Sequence, residues 1–175
     1  MGKFFDGFVA GAILAFVGIF LILYLGFIDP RADVPDNTVS TWVATPSLDA
    51  AVSRLAPPVW DPIQPDEQNL AAGMKLYEAH CSTCHGDVAH HESAFADTLK
   101  PRPKQFVQNR EDLPENEDFY IILHGIRWSG MPSWNHKLTE KQIWQVTTFL
   151  AEMSKLPPNV AEQWKAAAAA SRPLF

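Results

Sequence analysis

Cysteine is scarce in this sequence: Cys81 and Cys84 are the only two among 175 residues. A four-coordinate zinc site would take a second cysteine pair or spaced histidines as further ligands, and the chain has no third cysteine. If both cysteines serve one motif, none is left for a structural disulfide. The low cysteine content therefore argues against a zinc-binding module and against a disulfide-stapled fold.

Positive charge is also in short supply. The chain carries 14 Lys and Arg residues against 20 Asp and Glu residues, for a formal net charge of -6. Nucleic-acid binding needs a basic patch or arm, and no such stretch is present. Apolar residues make up 47% of the chain, which is enough for one compact domain with an accessory segment.

The two cysteines lie in the stretch Cys81-Ser82-Thr83-Cys84-His85. Two cysteines separated by two residues and followed directly by histidine are typical of the attachment site of a c-type haem, in which each thiol adds to one vinyl group. His85 then lies next to the iron and is the predicted proximal ligand. A redox dithiol or half of a zinc site is the alternative, but neither requires the histidine. The motif therefore predicts one covalently attached haem c.

The second axial ligand of the iron has to be identified as well. Met131 follows His85 by 46 residues, between Gly130 and Pro132 in a predicted loop. A thioether is a soft ligand, and a His/Met pair raises the reduction potential relative to histidine alone. Met74, His124 and an open position are the alternatives. Met131 is preferred because methionine rarely lies between glycine and proline unless the loop holds it for a purpose.

Residues 1–28 are predicted to form a membrane anchor. Gly7 to Ile28 are 22 residues without a charge, which as a helix would span about 33 Å against a hydrocarbon core of about 30 Å. A cleaved signal peptide is the alternative. Lys3 and the amino terminus precede the span, and Asp29, Arg31 and Asp33 follow it, so the positive-inside rule predicts a cytoplasmic N-terminus.

Residues 29–65 are predicted to be a proline-rich linker, because the segment contains seven prolines. A short helix from Ser47 to Leu55 is expected within it, since Leu48 and Val52 share a face with Leu55. Two tryptophans are unusual for a free tether. Trp42 and Trp60 are expected either to pack on the following domain or to dock on a partner or on the membrane interface.

A globular domain is predicted for residues 66–155. Its first helix carries apolar and small residues at helical spacing and leads into the cysteine motif: Leu70, Gly73, Met74 and Tyr77. Asn116 is expected to cap a short helix that ends at Gly125, and Thr139 with Gln142 forms a predicted capping box for a closing amphipathic helix. Residues 156–175 are predicted to be a helical tail, from Asn159 to Ser171, with a packing role at most.

The motifs at residues 81–86 and 125–134, with the closing helix that carries Trp144, resemble class I cytochrome c, and most closely its membrane-anchored bacterial monohaem type. The resemblance covers about Asp66 to Ser154 and implies an all-α cytochrome c fold. It also implies that Gly73 and Tyr77 pack against Trp144 where the first and last helices cross.

The resemblance further implies a proline carbonyl that accepts the N–H of His85, with Pro101 as the first choice and Pro103 as the alternative. Near Met131, three residues are candidate contacts of the haem propionates: Arg127, Trp128 and Trp134. They are equally well explained as a solvated charge and two core side chains.

The sequence therefore predicts electron transfer between respiratory or photosynthetic complexes, on the outer face of a bacterial inner membrane, by an anchored protein with a periplasmic haem domain. The predicted partners are the lipid bilayer and redox proteins. The first alternative is a fixed subunit of a larger membrane oxidoreductase, and the second is a haem enzyme or gas sensor with an open distal position. His90 and His91 are either a pair of metal ligands or simply exposed polar residues. The acidic run from Glu111 to Asp118 is either a docking face for a basic partner or simply a solvated face.

Overall fold

The computed structural model describes residues 2–27, 31, 34, 38–109 and 112–170. These residues form helices and no strand, which confirms the all-α prediction. The α-helices are α1 (Gly2–Tyr24), α2 (Thr38–Leu55), α3 (Glu67–His80), α4 (Ser82–His85), α5 (Glu115–His124), α6 (Glu140–Glu152) and α7 (Pro158–Ala170). Two 3-10 segments, Ala94–Thr98 and Met153–Lys155, complete the fold. The chain divides into two compact units, residues 1–34 and 35–175.

The first unit consists of α1. The stretch Phe4–Tyr24 is 21 residues long, and none of it is buried inside the protein. By length and composition it can cross a membrane. The helix begins before the predicted span, whose last residue, Ile28, lies outside the described residues together with Asp29 and Asp33.

Helix α2 is longer than predicted. It begins at Thr38 rather than Ser47 and continues through Pro46. Val52 on α2 and Ala56 just after it are buried within the second unit, in which α2 contacts α5. Leu55 is 48% exposed, so the predicted apolar face is only partly correct. The Asn116 side chain donates a hydrogen bond to the Pro57 carbonyl at 3.0 Å. The end of the predicted linker is therefore part of the packed unit.

The linker tryptophans do not pack on the domain. Trp42 is 75% exposed and Trp60 is 93% exposed. Of the two predicted roles, packing on the domain is wrong, and docking on a partner or on a membrane interface remains a prediction.

Helices α3 and α6 cross in contact at Gly73. A Cβ atom on Gly73 would lie 2.0 Å from the Gln145 carbonyl oxygen and 2.8 Å from the Phe149 Cβ. Tyr77 packs on Phe149 with ring centroids 5.4 Å apart. The aromatic partner at the crossing is thus Phe149 and not Trp144, which instead stacks on Phe119 at 4.1 Å. Residues 145 and 149 are one turn apart and share the face toward α3, while residue 144 points to a different side of the helix.

The helix ends follow from local capping. Asp66 caps α3 by accepting the Asn69 backbone N–H at 2.8 Å, and the capping box of Thr139 and Gln142 at α6 is confirmed. Asn116 does not cap α5, because that helix already begins at Glu115 after Pro114. Its last turn ends at Gly125, whose φ of 68° is favourable only for glycine.

The C-terminal helix α7 is part of the core. Val160, Trp164 and Ala168 are buried, and Trp164 contacts Phe149 edge to face at 5.2 Å. The indole N–H of Trp164 donates to the Glu78 carboxylate on α3. The helix begins at Pro158, one residue before the predicted start, and Ser171 lies outside the described residues.

Candidate haem site

The cysteine motif lies at the junction of α3 and α4. The backbone N–H of Cys81 closes α3 by donating to the Tyr77 carbonyl at 2.7 Å, and the N–H of His85 donates to the Cys81 carbonyl at 2.9 Å. This single helical turn places Cys81 and Cys84 three residues apart on one side. Gly86 then reverses the chain with a φ of 77°. The turn presents two thiols and an imidazole close together.

Neither cysteine is in a disulfide. Burial raises the pKa of the Cys81 thiol to about 12, with smaller contributions from Cys84 and Glu78. Burial also raises the pKa of Cys84. Burial therefore favours the protonated form of both thiols in the folded chain.

His85 is oriented by its Nδ1 atom, which lies 2.7 Å from the Lys104 carbonyl oxygen. A carbonyl can only accept, so this contact assigns the proton to Nδ1 and leaves the lone pair on Nε2 for a metal. The imidazole stacks on the Phe106 ring at 4.5 Å, with 13° between the planes. The arrangement is that of a metal-binding histidine fixed by a second contact.

The acceptor for His85 was predicted to be Pro101, with Pro103 as the alternative, and the structure gives this role to Lys104. Pro101 is exposed, and the Pro103 carbonyl accepts instead from the Gln105 side chain at 2.8 Å. Every residue offers a carbonyl, so side-chain identity gives no signal for this contact. A haem contact by Pro101 stays a prediction.

The Met131 loop connects α5 to α6 and is held by hydrogen bonds within the loop. Ile126 N–H donates to the Met131 carbonyl at 3.1 Å, and Met131 N–H donates to the Ser129 hydroxyl at 3.0 Å. A Cβ atom at Gly125 would lie 2.7 Å from the Met131 carbonyl oxygen, so only glycine allows this approach. Met131 is half-buried and packs on the same core cluster as Cys81.

The competing iron ligands have other surroundings. Met74 is 1% exposed within the core, and His124 is exposed at the end of α5 beside the Tyr120 ring. His90 lies near Asp87, and the described residues contain no group of three or more His, Cys, Asp or Glu side chains that would hold a metal ion. His90 and His91 are therefore better explained as exposed polar residues.

The candidate propionate contacts differ in burial. Arg127 is exposed, and Trp128 is 90% exposed with a φ of 66°, so the interpretation of Trp128 as a core side chain is wrong. Trp134 is half-buried against the core and lies 5.0 Å from the His80 ring.

In the acidic run, Asp112 pairs with Lys104 at 2.9 Å and Asp118 is buried, while Glu111 lies outside the described residues.

The residues present fit a haem. Two thiols, an oriented imidazole and a thioether are its known protein attachments and ligands. Five side chains that pack on the core while remaining partly exposed are candidates to contact a flat apolar ring: Cys81, Phe106, Leu123, Met131 and Trp134. These features are those expected of a c-type cytochrome domain.

Comparison with known families agrees with this class. Residues 68–150 match the model of the family described as cytochrome C oxidase, cbb3-type, subunit III. The match supports a c-type cytochrome, and with it haem c binding, electron transport and redox partner proteins. It covers α3 to α6, the part of the chain that contains the cysteine motif and the Met131 loop.

A more distant relative is a quinohemoprotein alcohol dehydrogenase, ADH-IIG, of Pseudomonas putida. It is 30% identical over 101 residues, which are 57% of this chain and 13% of the relative. The chain therefore spans a small part of that enzyme's length.

Proposed function

We propose that this chain is a monohaem c-type cytochrome, anchored by α1 in a bacterial inner membrane, that transfers electrons between redox complexes on the outer face of that membrane. Cys81 and Cys84 hold the haem covalently, and His85 and Met131 are the axial ligands. The N-terminus is cytoplasmic and the haem domain periplasmic.

The observation that supports this proposal best is the hydrogen bond from His85 Nδ1 to the Lys104 carbonyl. This bond keeps the proton on Nδ1, so Nε2 has a free lone pair in a fixed direction that can bind iron, close in sequence to two cysteines that are not in a disulfide. A bound haem supplies one-electron exchange between ferrous and ferric iron. The chain's own part is to hold imidazole and thioether in place and to exclude water through the apolar side chains around them.

The test is Met131→Ala in the full-length protein. Loss of the thioether should abolish the sulfur-to-iron absorption band of the ferric protein and lower the reduction potential, because methionine favours ferrous iron. Met153→Ala is the matched control, since this half-buried methionine follows α6, outside the Met131 loop. An unchanged spectrum in Met131→Ala would exclude Met131 as the ligand.

Carbon monoxide separates the rival class in the same preparation. If the reduced wild-type protein does not bind carbon monoxide, both axial positions of the iron are occupied by protein ligands. This is the result expected of an electron carrier. Ready binding would favour a haem enzyme or gas sensor with an open distal position.

A fixed subunit of a membrane oxidoreductase is the second candidate. It is favoured by the match of residues 68–150 to a family described as an oxidase subunit. The folding of residues 38–55 into α2 supports it too, because these residues no longer contribute to a long proline-rich tether.

A further inference from the structure

Gln105 is a polar side chain in an unusually enclosed place. It is 1% exposed and ranks among the largest fully buried side chains, which are otherwise apolar or aromatic apart from Thr147. Burying an amide without hydrogen bonds is costly, so its partners reveal why it is tolerated.

Both N–H groups and the oxygen of the Gln105 side-chain amide form hydrogen bonds. Nε2 donates to the Cys84 carbonyl at 2.9 Å and to the Pro103 carbonyl at 2.8 Å. Oε1 accepts the Ser93 backbone N–H at 2.8 Å. Two carbonyls face one end of the amide and an N–H faces the other, so only one orientation satisfies the contacts.

These bonds join the segment around Gln105 to the residue that precedes His85. On one side of Gln105, the Lys104 carbonyl accepts from His85 Nδ1. On the other side, Phe106 stacks on the imidazole and donates its N–H to the His85 carbonyl at 3.3 Å. Residues 104 and 106 therefore contact His85, and the Gln105 side chain fastens them to Cys84.

We propose that Gln105 is a positioning residue for the iron ligand: its amide fixes the Lys104 carbonyl against His85 Nδ1 and thereby helps to set the reduction potential. The inference rests on the proposed function, in which His85 binds iron. A strong bond at Nδ1 makes the imidazole more basic and favours ferric iron. Loosening it should make Nε2 a poorer donor and raise the potential.

The test uses detergent-solubilised, full-length, haem-loaded protein. Gln105→Met keeps an unbranched side chain of similar length and removes all three bonds, while Gln105→Glu keeps the shape and removes both donors. We expect an upward shift of the midpoint potential in Gln105→Met, together with faster solvent exchange of the His85 Nδ1 proton measured by NMR. Gln108→Leu, three residues on at an exposed position, is the matched control and should leave both unchanged.

A merely structural role for Gln105 would lower the thermal stability without moving the potential or the proton exchange, and that result would overturn the inference. If neither variant retains haem, the wild-type protein decides, because rapid exchange of its Nδ1 proton would also overturn it and slow exchange supports it. A wild-type protein without a His/Met-ligated haem would instead overturn the proposed function. The two failures are thus distinguishable.

Discussion

Glu78 lies on α3 one turn before Cys81, in surroundings that disfavour its charge. Its Oε1 atom accepts the Trp164 indole N–H, while its Oε2 atom is buried without a hydrogen-bond partner. Burial is the largest cause that raises the pKa of Glu78. The bond from Trp164 opposes this rise, the Asp87 carboxylate adds to it, and His90 counteracts it. Part of the folding free energy is therefore linked to the protonation of this carboxyl.

The Glu78→Gln variant should show this linkage. Because the pKa is raised in the folded state, stability is fully present below the ordinary value of 4.5 and falls as pH rises through the folded value. Glu78→Gln should flatten that fall, measured as the free energy of unfolding of the holoprotein in denaturant between about pH 4 and pH 8. Glu162→Gln, at an exposed position of α7, is the control. A pH slope identical to wild type in Glu78→Gln would contradict the assignment.

At this scale the sequence predicts what depends on local spacing. Cys81, Cys84 and His85 form a pattern within five residues, and the structure brings them together in a single turn. The Lys104 carbonyl and the Gln105 amide lie about 20 residues further on, and their roles depend on the path of an irregular segment. No periodicity marks such a segment, so neither role could be read from the sequence.

Among the helices, the contact of α3 with α6 depends on one missing side chain. Gly73→Ala would place a Cβ 2.0 Å from the Gln145 carbonyl oxygen, a backbone atom that cannot move without shifting the helix. Overpacking of this kind costs about 3 kcal/mol. We expect a loss of that order in the free energy of unfolding, measured by denaturant titration.

Lys75→Ala, on the exposed side of the same helix, is the control for Gly73→Ala and should change stability by less than about 0.5 kcal/mol. Equal stability of Gly73→Ala and wild type would mean that the two helices do not approach as closely as the structure describes.

The helices also show where sequence patterns are informative. Helix α6 combines a capping box with a regular apolar face, and both were predictable. Helix α7 packs through Val160, Trp164 and Ala168. Helix α2 packs through Val52, followed by Ala56 just after its end. Few apolar side chains therefore mark the buried side of either helix. Their docking depends on the shape of the neighbouring helices, which the local sequence does not contain.

For the whole molecule, the prediction to test is attachment to the membrane. The full chain should stay with the membrane fraction after a high-salt wash, because α1 offers 21 apolar-rich residues to the bilayer. A variant in which a cleavable export signal replaces residues 2–27 should appear in the soluble fraction with an unchanged haem spectrum. Release of the full chain by salt alone would contradict the anchor.

Haem staining of a native gel of the full chain in mild detergent then separates the two candidate functions. A small monohaem species is expected of a mobile carrier, and comigration with a large assembly is expected of a subunit. Mass spectrometry of the comigrating proteins would identify the redox partners.

The division of the molecule was only partly predictable. The globular domain was expected to begin at Asp66, whereas the compact unit begins at residue 35. Seven prolines between residues 29 and 65 suggested an extended tether, yet 18 residues of this region form α2. The prolines lie mostly outside the helix, and Pro46 is the only one within its described length.

The raised pKa of Cys81 has a consequence for how the protein is made. Because burial raises its pKa to about 12, the thiol of the folded chain is protonated at neutral pH. A buried, protonated thiol is a poorer nucleophile than an exposed thiolate. We therefore expect the cofactor to be attached while α3 and α6 are still apart, so that haem attachment comes before folding is complete.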